Sequence, residues 1–305
     1  MQPYRTLNEY YRTLFGGKVA KIAIDAGFTC PNRDGTLGQG GCIFCSERGS
    51  GDFAEQSTHA ISEQIWQGRS QTSEKWIDVV GYIAYFQAFT NTYAPVETLR
   101  KRYYQALNNP DIVGLSIATR PDCLPENVLH LLSEVSSKTK LWVELGFQTS
   151  NENTAQLIHR GYKNEVFSEA VFSLHRRQIP VVAHVIIGLP NETAKDTLHT
   201  ILYLNTLPIQ GVKIHLLHVL AHTKLAALYE NHTYSPLSMD TYLETLCLLI
   251  AHLREDIVIH RLTGDGNKDT LLAPLWSLNK RNVLNTFHRM LKERNITQGQ
   301  ALKNK

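Results

Sequence analysis

The chain has 305 residues, 43% of them hydrophobic and 19% charged, a composition typical of a globular protein with one large or two small domains. The net charge of +3 is too small to indicate a nucleic-acid partner by itself. The opening segment lacks the apolar core of a signal peptide and no later run reaches about 18 apolar residues, so we expect no membrane span and a cytoplasmic location. Five cysteines, an odd number, disfavour a disulfide framework.

Apolar, β-branched runs alternate with amphipathic stretches along the chain, as in repeated βα units around a parallel sheet. The predicted strands are residues 19–24, 79–86, 113–118, 141–145, 181–187 and 212–219, with a seventh candidate at 257–262. Helices are predicted at about 60–68, 95–108, 125–136, 151–159, 164–177 and 192–205. Six βα units are too few for a closed eight-stranded barrel. We therefore predict an α/β fold, a partial (β/α)6 TIM-type barrel with its site at the strand C-terminal ends.

Three regions are predicted along the chain. Residues 1–18 form an N-terminal extension, residues 19–222 the partial barrel, and residues 223–305 a C-terminal helical and loop extension that is a candidate substrate-binding or lid region. In that extension, helical spacing covers 239–254 and 276–292, and the segment 276–305 has seven Lys or Arg and one acid. The polar stretch 46–75 is expected to be a loop plus one helix.

Three cysteines follow the first predicted strand, in the segment FTCPNRDGTLGQGGCIFCS. Eleven residues separate Cys30 from Cys42 and two separate Cys42 from Cys45, so a glycine-rich loop can direct all three thiols to one point. Three thiolates suit a four-iron four-sulfur cluster whose fourth iron stays open to a ligand. The alternative is structural zinc, but zinc takes four closed ligands, and a second CxxC or a zinc-finger His pair is absent from the sequence.

This cysteine loop resembles that of the radical SAM superfamily, specifically the YtqA/YhcC-type bacterial family and, more distantly, the radical SAM domain of the Elongator catalytic subunit. Other segments that carry the resemblance span most of the chain and lie at or just beyond predicted strand ends: YFQAFTNTYAP, SIATRPDCLP, WVELGFQTSNENT, HVIIGLPNET, VKIHLLHVLAHTKLA and RLTGDGNKDTLLAPLWS. The cysteine spacing differs from the commonest superfamily pattern, in which three residues and then two separate the ligands.

The resemblance implies an enzyme in which Cys30, Cys42 and Cys45 hold a 4Fe-4S cluster and S-adenosyl-L-methionine (SAM) chelates the open iron. A flavodoxin-like or ferredoxin-like one-electron donor would reduce the cluster, and reductive cleavage of SAM would give a 5′-deoxyadenosyl radical that abstracts hydrogen from the substrate. The resemblance assigns no catalytic side chain.

The resemblance also implies SAM contacts at strand ends. For the adenine these are Phe44, Ile187, Gly188, Val219 and Leu220; for the methionine moiety Gln87, Thr90 and Asn91; for the ribose or carboxylate Glu144 and Gln148; and Arg120 is a further candidate. Other roles stay open: a loop anchor for Phe44, a helix cap for Gln148, an ion pair with Asp122 for Arg120, and core or turn positions for Ile187 and Gly188.

The substrate is less constrained by the sequence. The relation to the Elongator subunit and the basic C-terminal segment favour a tRNA nucleoside, a wobble uridine first. A peptide or small metabolite is the alternative within the class, and a noncatalytic zinc-bound RNA-binding protein is the hypothesis from another class. His184, His215 and His218 are predicted to be hydrogen-bonded structural histidines.

Overall fold

The computed structural model describes residues 2–49, 57–74 and 76–303. Its main sheet contains seven parallel strands that follow one another in chain order and curl into a half-barrel. They are β1 (Lys18–Ile24), β2 (Val79–Phe86), β3 (Ile112–Thr119), β4 (Lys140–Gln148), β5 (Val181–Ile187), β6 (Gly211–Leu216) and β8 (Val258–Arg261). The strands β7 (Val219–Leu220) and β9 (Leu271–Ala273) pair antiparallel in a separate small sheet.

Helices occupy most of the connections between strands. They are α1 (Leu7–Phe15), α2 (Ile61–Ser73), α3 (Val96–Leu107), α4 (Glu126–Lys138), α5 (Glu152–Leu157), α6 (Asn164–Arg176), α7 (Ala194–Asn205), α8 (Lys224–Glu230), α9 (Met239–His252) and α10 (Lys280–Glu293). In the described part of the chain, none of these helices has the length and apolar character needed to cross a bilayer.

The partial barrel is confirmed, with one strand more than the predicted six. The predicted strand at 212–219 was too long, because the chain leaves the sheet after Leu216 and forms β7 separately. The candidate strand at 257–262 appears as β8, which pairs with β6 in the main sheet although it follows residue 222. The predicted loop and helix at 46–75 lie partly outside the described residues, and the described part contains α2.

The strands are buried on both faces, as expected for a parallel sheet covered by helices. One large apolar core lies between the sheet and its helices and includes Phe86, Leu132 and Phe167. A smaller cluster fills the barrel at the end where the strands begin. There Tyr11 of α1 packs on Trp142 of β4 with ring centroids 5.4 Å apart. The N-terminal helix therefore covers this end of the sheet, and the opposite end carries the cavity described next.

Candidate functional site

The carboxyl ends of the strands and the cysteine loop surround a cavity of about 690 Å³. Its rim includes Cys30, Cys42 and Cys45, and its deep wall includes Lys21 and Glu144. Glu144 precedes the last residue of β4 by four positions, which corresponds to about 13 Å along a strand. The cavity thus has a cysteine-bearing mouth and a polar interior at different depths of the same half-barrel.

The cysteine loop is held by backbone hydrogen bonds to two later parts of the chain. The N–H of Ile43 donates to the carbonyl of Ile158, and the N–H of Leu225 donates to the carbonyl of Ile43. Gly41 has φ +83°, a conformation that L side chains rarely adopt, and a Cβ there would lie 3.0 Å from Arg33 Nε. The short spacing between the last two cysteines is closed by a turn in which Cys45 N–H donates to the Cys42 carbonyl.

Two of the three thiols interact directly and share polar neighbours. The hydrogen bond from Cys45 lowers the pKa of Cys42 to about 7, and Arg120, Asn32 and Arg33 act in the same direction against burial. The same hydrogen bond and burial raise the pKa of Cys45. The Asn32 amide lies 3.6 Å from Cys42 Sγ and also donates to the His159 carbonyl at 2.5 Å. Cys42 is therefore the thiol whose ionised form is stabilised best.

The arrangement fits three thiolate ligands on separate irons of one cluster. Cys30, Cys42 and Cys45 line the same cavity mouth, and Cys30 is close enough to raise the pKa of Cys45 electrostatically. Across the described residues, no group of three His, Cys, Asp or Glu side chains could hold a single metal ion. A closed four-ligand zinc site consequently has no support in this geometry.

Two further cysteines are buried away from the mouth. Cys247 lies in the core on α9, as its helical position predicted. Cys123 is also buried, and burial raises its pKa to about 12, so its thiol stays protonated at neutral pH. Cys123 is absent from the residues that line the cavity.

Most of the residues predicted to contact SAM line the cavity. These are Phe44, Gln87, Thr90, Arg120, Glu144, Gln148 and Leu220. Gln148 has φ +64°, and its side chain accepts a hydrogen bond from Tyr162 at 3.4 Å. The alternative of a helix cap at Gln148 is wrong, because Asn151 caps α5. Contact between SAM and these residues stays a prediction.

The four other predicted SAM residues lie outside the cavity lining. The Asn91 amide is fully buried and donates to the carbonyls of Ala88 and Ala118, so it ties two strand ends together. Ile187 packs in the main core, and the Gly188 carbonyl accepts a hydrogen bond from Tyr234. Val219 was expected at the end of strand six, but it lies in β7 and packs in a separate apolar cluster.

Arg120 forms the local ion pair that the sequence left open. Its Nε and Nη2 donate to the two oxygens of Asp122 at 2.9 and 2.6 Å, and Nη1 donates to the Arg160 carbonyl at 2.9 Å. The guanidinium carbon also lies 4.9 Å from the centroid of the Tyr162 ring. The Arg120 side chain is thus fixed at the cavity wall by three partners.

Glu144 lies at the centre of a network of polar side chains that we call the polar floor. The floor consists of Lys21, Tyr85, Ser116, Glu144, His184 and Lys213. One carboxylate oxygen of Glu144 is 2.6 Å from Lys21 Nζ and 2.5 Å from Ser116 Oγ. The other is 2.9 Å from Lys213 Nζ and 2.7 Å from His184 Nε2.

The electrostatics of the floor follow from burial and these partners. Burial opposes ionisation of Glu144, but Lys21, Lys213 and His184 outweigh it and hold its pKa well below the usual range. Burial lowers the pKa of Lys213 to about 7 even though Glu144 opposes this shift. Burial, together with Lys213, lowers the pKa of His184 to about 4, so its imidazole is neutral at physiological pH.

The prediction of three hydrogen-bonded structural histidines holds for His184 alone. His215 and His218 line the cavity, and within the described residues the buried Nε2 of each lacks a hydrogen-bond partner. His218 also lies between β6 and β7 rather than inside a strand. Unpartnered buried nitrogens at a cavity wall indicate a place where a ligand or water completes the hydrogen bonding.

Sequence reasoning missed Lys21 and Lys213, although both carry a signal. Each lies inside an otherwise apolar strand, KVAKIAI and GVKIHL. A lysine in a strand buried on both faces is rare unless it is paired. The pairing of these two lysines with Glu144 was recoverable from strand alternation once the sheet order was known, because all three point to the barrel interior.

Two family models match the chain. The model of the Radical SAM superfamily matches residues 30–204, and that of the Radical_SAM C-terminal domain matches residues 209–293. The chain belongs to the radical SAM superfamily. Residue 30, where the first match begins, is the first of the three cysteines at the cavity mouth, so this radical SAM domain starts at the predicted cluster ligands.

Relatives match over nearly the full length. The uncharacterised protein YtqA of Bacillus subtilis is 46% identical over 97% of this chain and 92% of its own length, and YhcC of Escherichia coli is 36% identical over 94% and 92%. Elongator complex protein 3 of Dictyostelium discoideum is 26% identical over 53% of this chain and 29% of its own length.

A solved structure supports the fold. The archaeal Elp3 of Methanocaldococcus infernus superposes with a TM-score of 0.70, at 15% identity, over 92% of this chain and 64% of that one. At this identity the likeness establishes the half-barrel architecture alone.

Proposed function

We propose that the protein is a radical SAM enzyme that holds a 4Fe-4S cluster through Cys30, Cys42 and Cys45 and cleaves SAM reductively. The observation that carries the proposal is the position of these three cysteines at the mouth of the half-barrel cavity, within the matched superfamily domain. When bound, the cluster and SAM would supply a 5′-deoxyadenosyl radical for hydrogen abstraction.

The chain's own residues would orient SAM and protect the reaction. The loop clamped at Ile43 fixes the three thiols, and Asn32 donates toward Cys42 Sγ, which stabilises negative charge on that sulfur. The Arg120–Asp122 pair and Tyr162 hold the wall beside the mouth. Because α1 closes the opposite end of the barrel, substrate and SAM would both enter at the strand carboxyl ends.

For the substrate we propose a tRNA nucleoside, a wobble uridine first. Two observations support this choice: the sequence similarity to Elongator complex protein 3, and the basic helix α10. In that helix Arg281, Arg289 and Lys292 are exposed, whereas Lys280 is ion-paired with Asp265 at 2.7 Å. A helix with this charge would chiefly contact phosphates.

Two experiments test the proposal at its two levels. Anaerobic reconstitution with iron and sulfide should give a brown protein that forms 5′-deoxyadenosine from SAM after reduction by dithionite or a flavodoxin-type or ferredoxin-type donor. A colourless protein that retains zinc would overturn the enzyme assignment. Comparing the modified nucleosides of total tRNA from a deletion strain and its parent tests the substrate. One missing or precursor nucleoside would identify the reaction, and identical profiles would reject the tRNA proposal in favour of a peptide or metabolite.

A further inference from the structure

The polar floor carries an unbalanced positive charge deep in the cavity. Two ammonium groups, those of Lys21 and Lys213, face the single carboxylate of Glu144, and His184 adds no charge at physiological pH. The acid at the neighbouring wall, Asp265, is engaged by Lys280 at 2.7 Å and by Arg261 at 3.8 Å. Fully protonated, the floor has one positive charge more than its carboxylate can neutralise.

This excess charge is removed from water. The side chain of Lys213 is 8% exposed, that of Lys21 is 19% exposed and that of Glu144 is fully buried. A buried charge without a partner is costly, and the lowered pKa of Lys213 shows that its charged form is only partly compensated by the protein. A ligand of opposite charge would remove this cost.

Unused donors point the same way. Each ammonium has three N–H groups and uses two: Lys21 donates to Ser116 and Glu144, and Lys213 donates to Tyr85 and Glu144. On the adjoining wall, the buried His215 Nε2 is unpartnered within the described residues, and His215 lines the cavity. These groups offer hydrogen bonds to an acceptor and none of them repels an anion.

We propose that the polar floor binds one anionic group of the substrate, a monoanion of carboxylate size, with Lys213 and Lys21 as its charge partners and His215 as a neutral donor. A single excess charge matches a carboxylate, whereas a phosphate monoester dianion would leave negative charge uncompensated in a buried place. The floor lies about 13 Å below the strand ends. The anionic group would therefore enter ahead of the part of the substrate that lies nearer the cysteines.

This inference names the charge of a substrate group and goes beyond the proposed function, since it applies to a modified nucleoside and to a peptide alike. It can be tested with acetate as the probe, using full-length, cluster-reconstituted protein labelled with ¹³C at the lysine Cε. Acetate should shift the Cε signals of Lys21 and Lys213 saturably at constant ionic strength. Acetamide, which has the same shape without the charge, should leave both signals in place.

Variants assign the site. Lys213→Met should weaken acetate binding, followed at Lys21, by about tenfold or more, because a charge-assisted hydrogen bond is lost. Glu144→Gln should strengthen binding, because the competing carboxylate is removed. The matched control is Lys195→Met, which removes an exposed lysine on α7 and should leave the affinity unchanged.

Three outcomes would overturn the inference. These are equal shifts with acetate and acetamide, a shift that grows without saturating, and an unchanged affinity in Lys213→Met, which would place acetate at the cluster iron or elsewhere. The measurement uses neither SAM cleavage nor RNA. Its failure would leave the proposed function standing, and a failed cleavage assay would leave this result interpretable.

Discussion

Lys213 Nζ lies 2.9 Å from Glu144 Oε2, and both side chains are almost wholly removed from water. Lys21 approaches the other carboxylate oxygen at 2.6 Å. Strands β1, β4 and β6 are thereby joined across the barrel interior by ionic contacts as well as by the neighbouring strand pairings. A buried network of this kind contributes stability only while it is complete, because each member depends on the others to offset its desolvation.

The first prediction is that Glu144→Ala lowers the free energy of unfolding by about 3–5 kcal/mol, the cost of leaving buried charged partners without their counter-ion. Urea denaturation of the wild type and the variant measures this difference. Glu230→Ala, which removes an exposed carboxylate on α8, is the control and should change stability little. A Glu144→Ala protein with wild-type stability but weak SAM binding would instead place Glu144 in direct contact with the cofactor.

The second prediction concerns the pH dependence of stability through Lys213. Its pKa is about 7 in the folded protein and 10.5 as an ordinary lysine, so between these values the unfolded chain binds a proton that the folded chain does not. Stability from this group therefore rises with pH across that window. The unfolding free energy of the wild type minus that of Lys213→Met should increase from pH 7 to pH 9. A flat or falling difference would mean that Lys213 stays charged in the folded state.

The sequence was sufficient for the architecture and for the cysteine site. Strand β2 and strand β5 were predicted at their observed bounds, since both are uninterrupted apolar runs between polar segments. The three cysteines were found from spacing alone, because thiol chemistry needs few residues in a fixed order. The break after Leu216 escaped prediction, since apolar residues continue through β7 and periodicity cannot show where a strand leaves its sheet.

The polar floor could not be derived in the same way. Lys21, Glu144 and Lys213 are separated by 69 residues or more, and their meeting depends on strand order and on which face each residue occupies. Among the predicted SAM residues, Asn91 and Ile187 follow or end a strand as Thr90 does, yet their side chains point into the structure instead of the cavity. Position at a strand end identifies the right edge of the sheet but leaves the side-chain direction open.

The third prediction tests the cluster ligands. Replacing any one of Cys30, Cys42 and Cys45 by Ala should abolish SAM cleavage and reduce bound iron, because an iron without its thiolate destabilises the cluster. Iron content and 5′-deoxyadenosine formation after reconstitution measure both effects. Cys247→Ala is the matched control, since that thiol is buried in the core on α9 and should be dispensable for cleavage. Full cleavage by Cys42→Ala would reject the assignment.

The fourth prediction uses the contact between Asn32 and Cys42 Sγ, 3.6 Å long. A donor beside a thiolate favours the more negative, reduced form of a cluster, so Asn32→Ala should make the midpoint potential more negative. Redox titration followed by electron paramagnetic resonance measures this shift at unchanged iron content. Asn285→Ala, an exposed change on α10, should leave the potential as it is. A more positive or unaltered potential in Asn32→Ala would show that this amide serves the loop backbone alone.

The last prediction tests the RNA-binding role of α10 by separating exposed from paired cations. Arg281, Arg289 and Lys292 are exposed, and Lys280 already spends its charge on Asp265. If the exposed three contact phosphates, neutralising them should lower tRNA affinity and flatten its log–log salt dependence by about 0.7 to 0.9 per lost contact.

Lys280→Gln should flatten the slope less, because its charge is partly compensated before RNA arrives. SAM cleavage without substrate should persist in both proteins, since α10 is absent from the cavity lining in the described structure. Filter binding of total tRNA between 50 and 200 mM salt, a range over which phosphate contacts alter affinity by orders of magnitude, measures the slopes. An unchanged slope in the triple variant would exclude this helix as the RNA surface. Wild-type protein without salt-dependent tRNA binding would make a peptide or metabolite the first substrate to test.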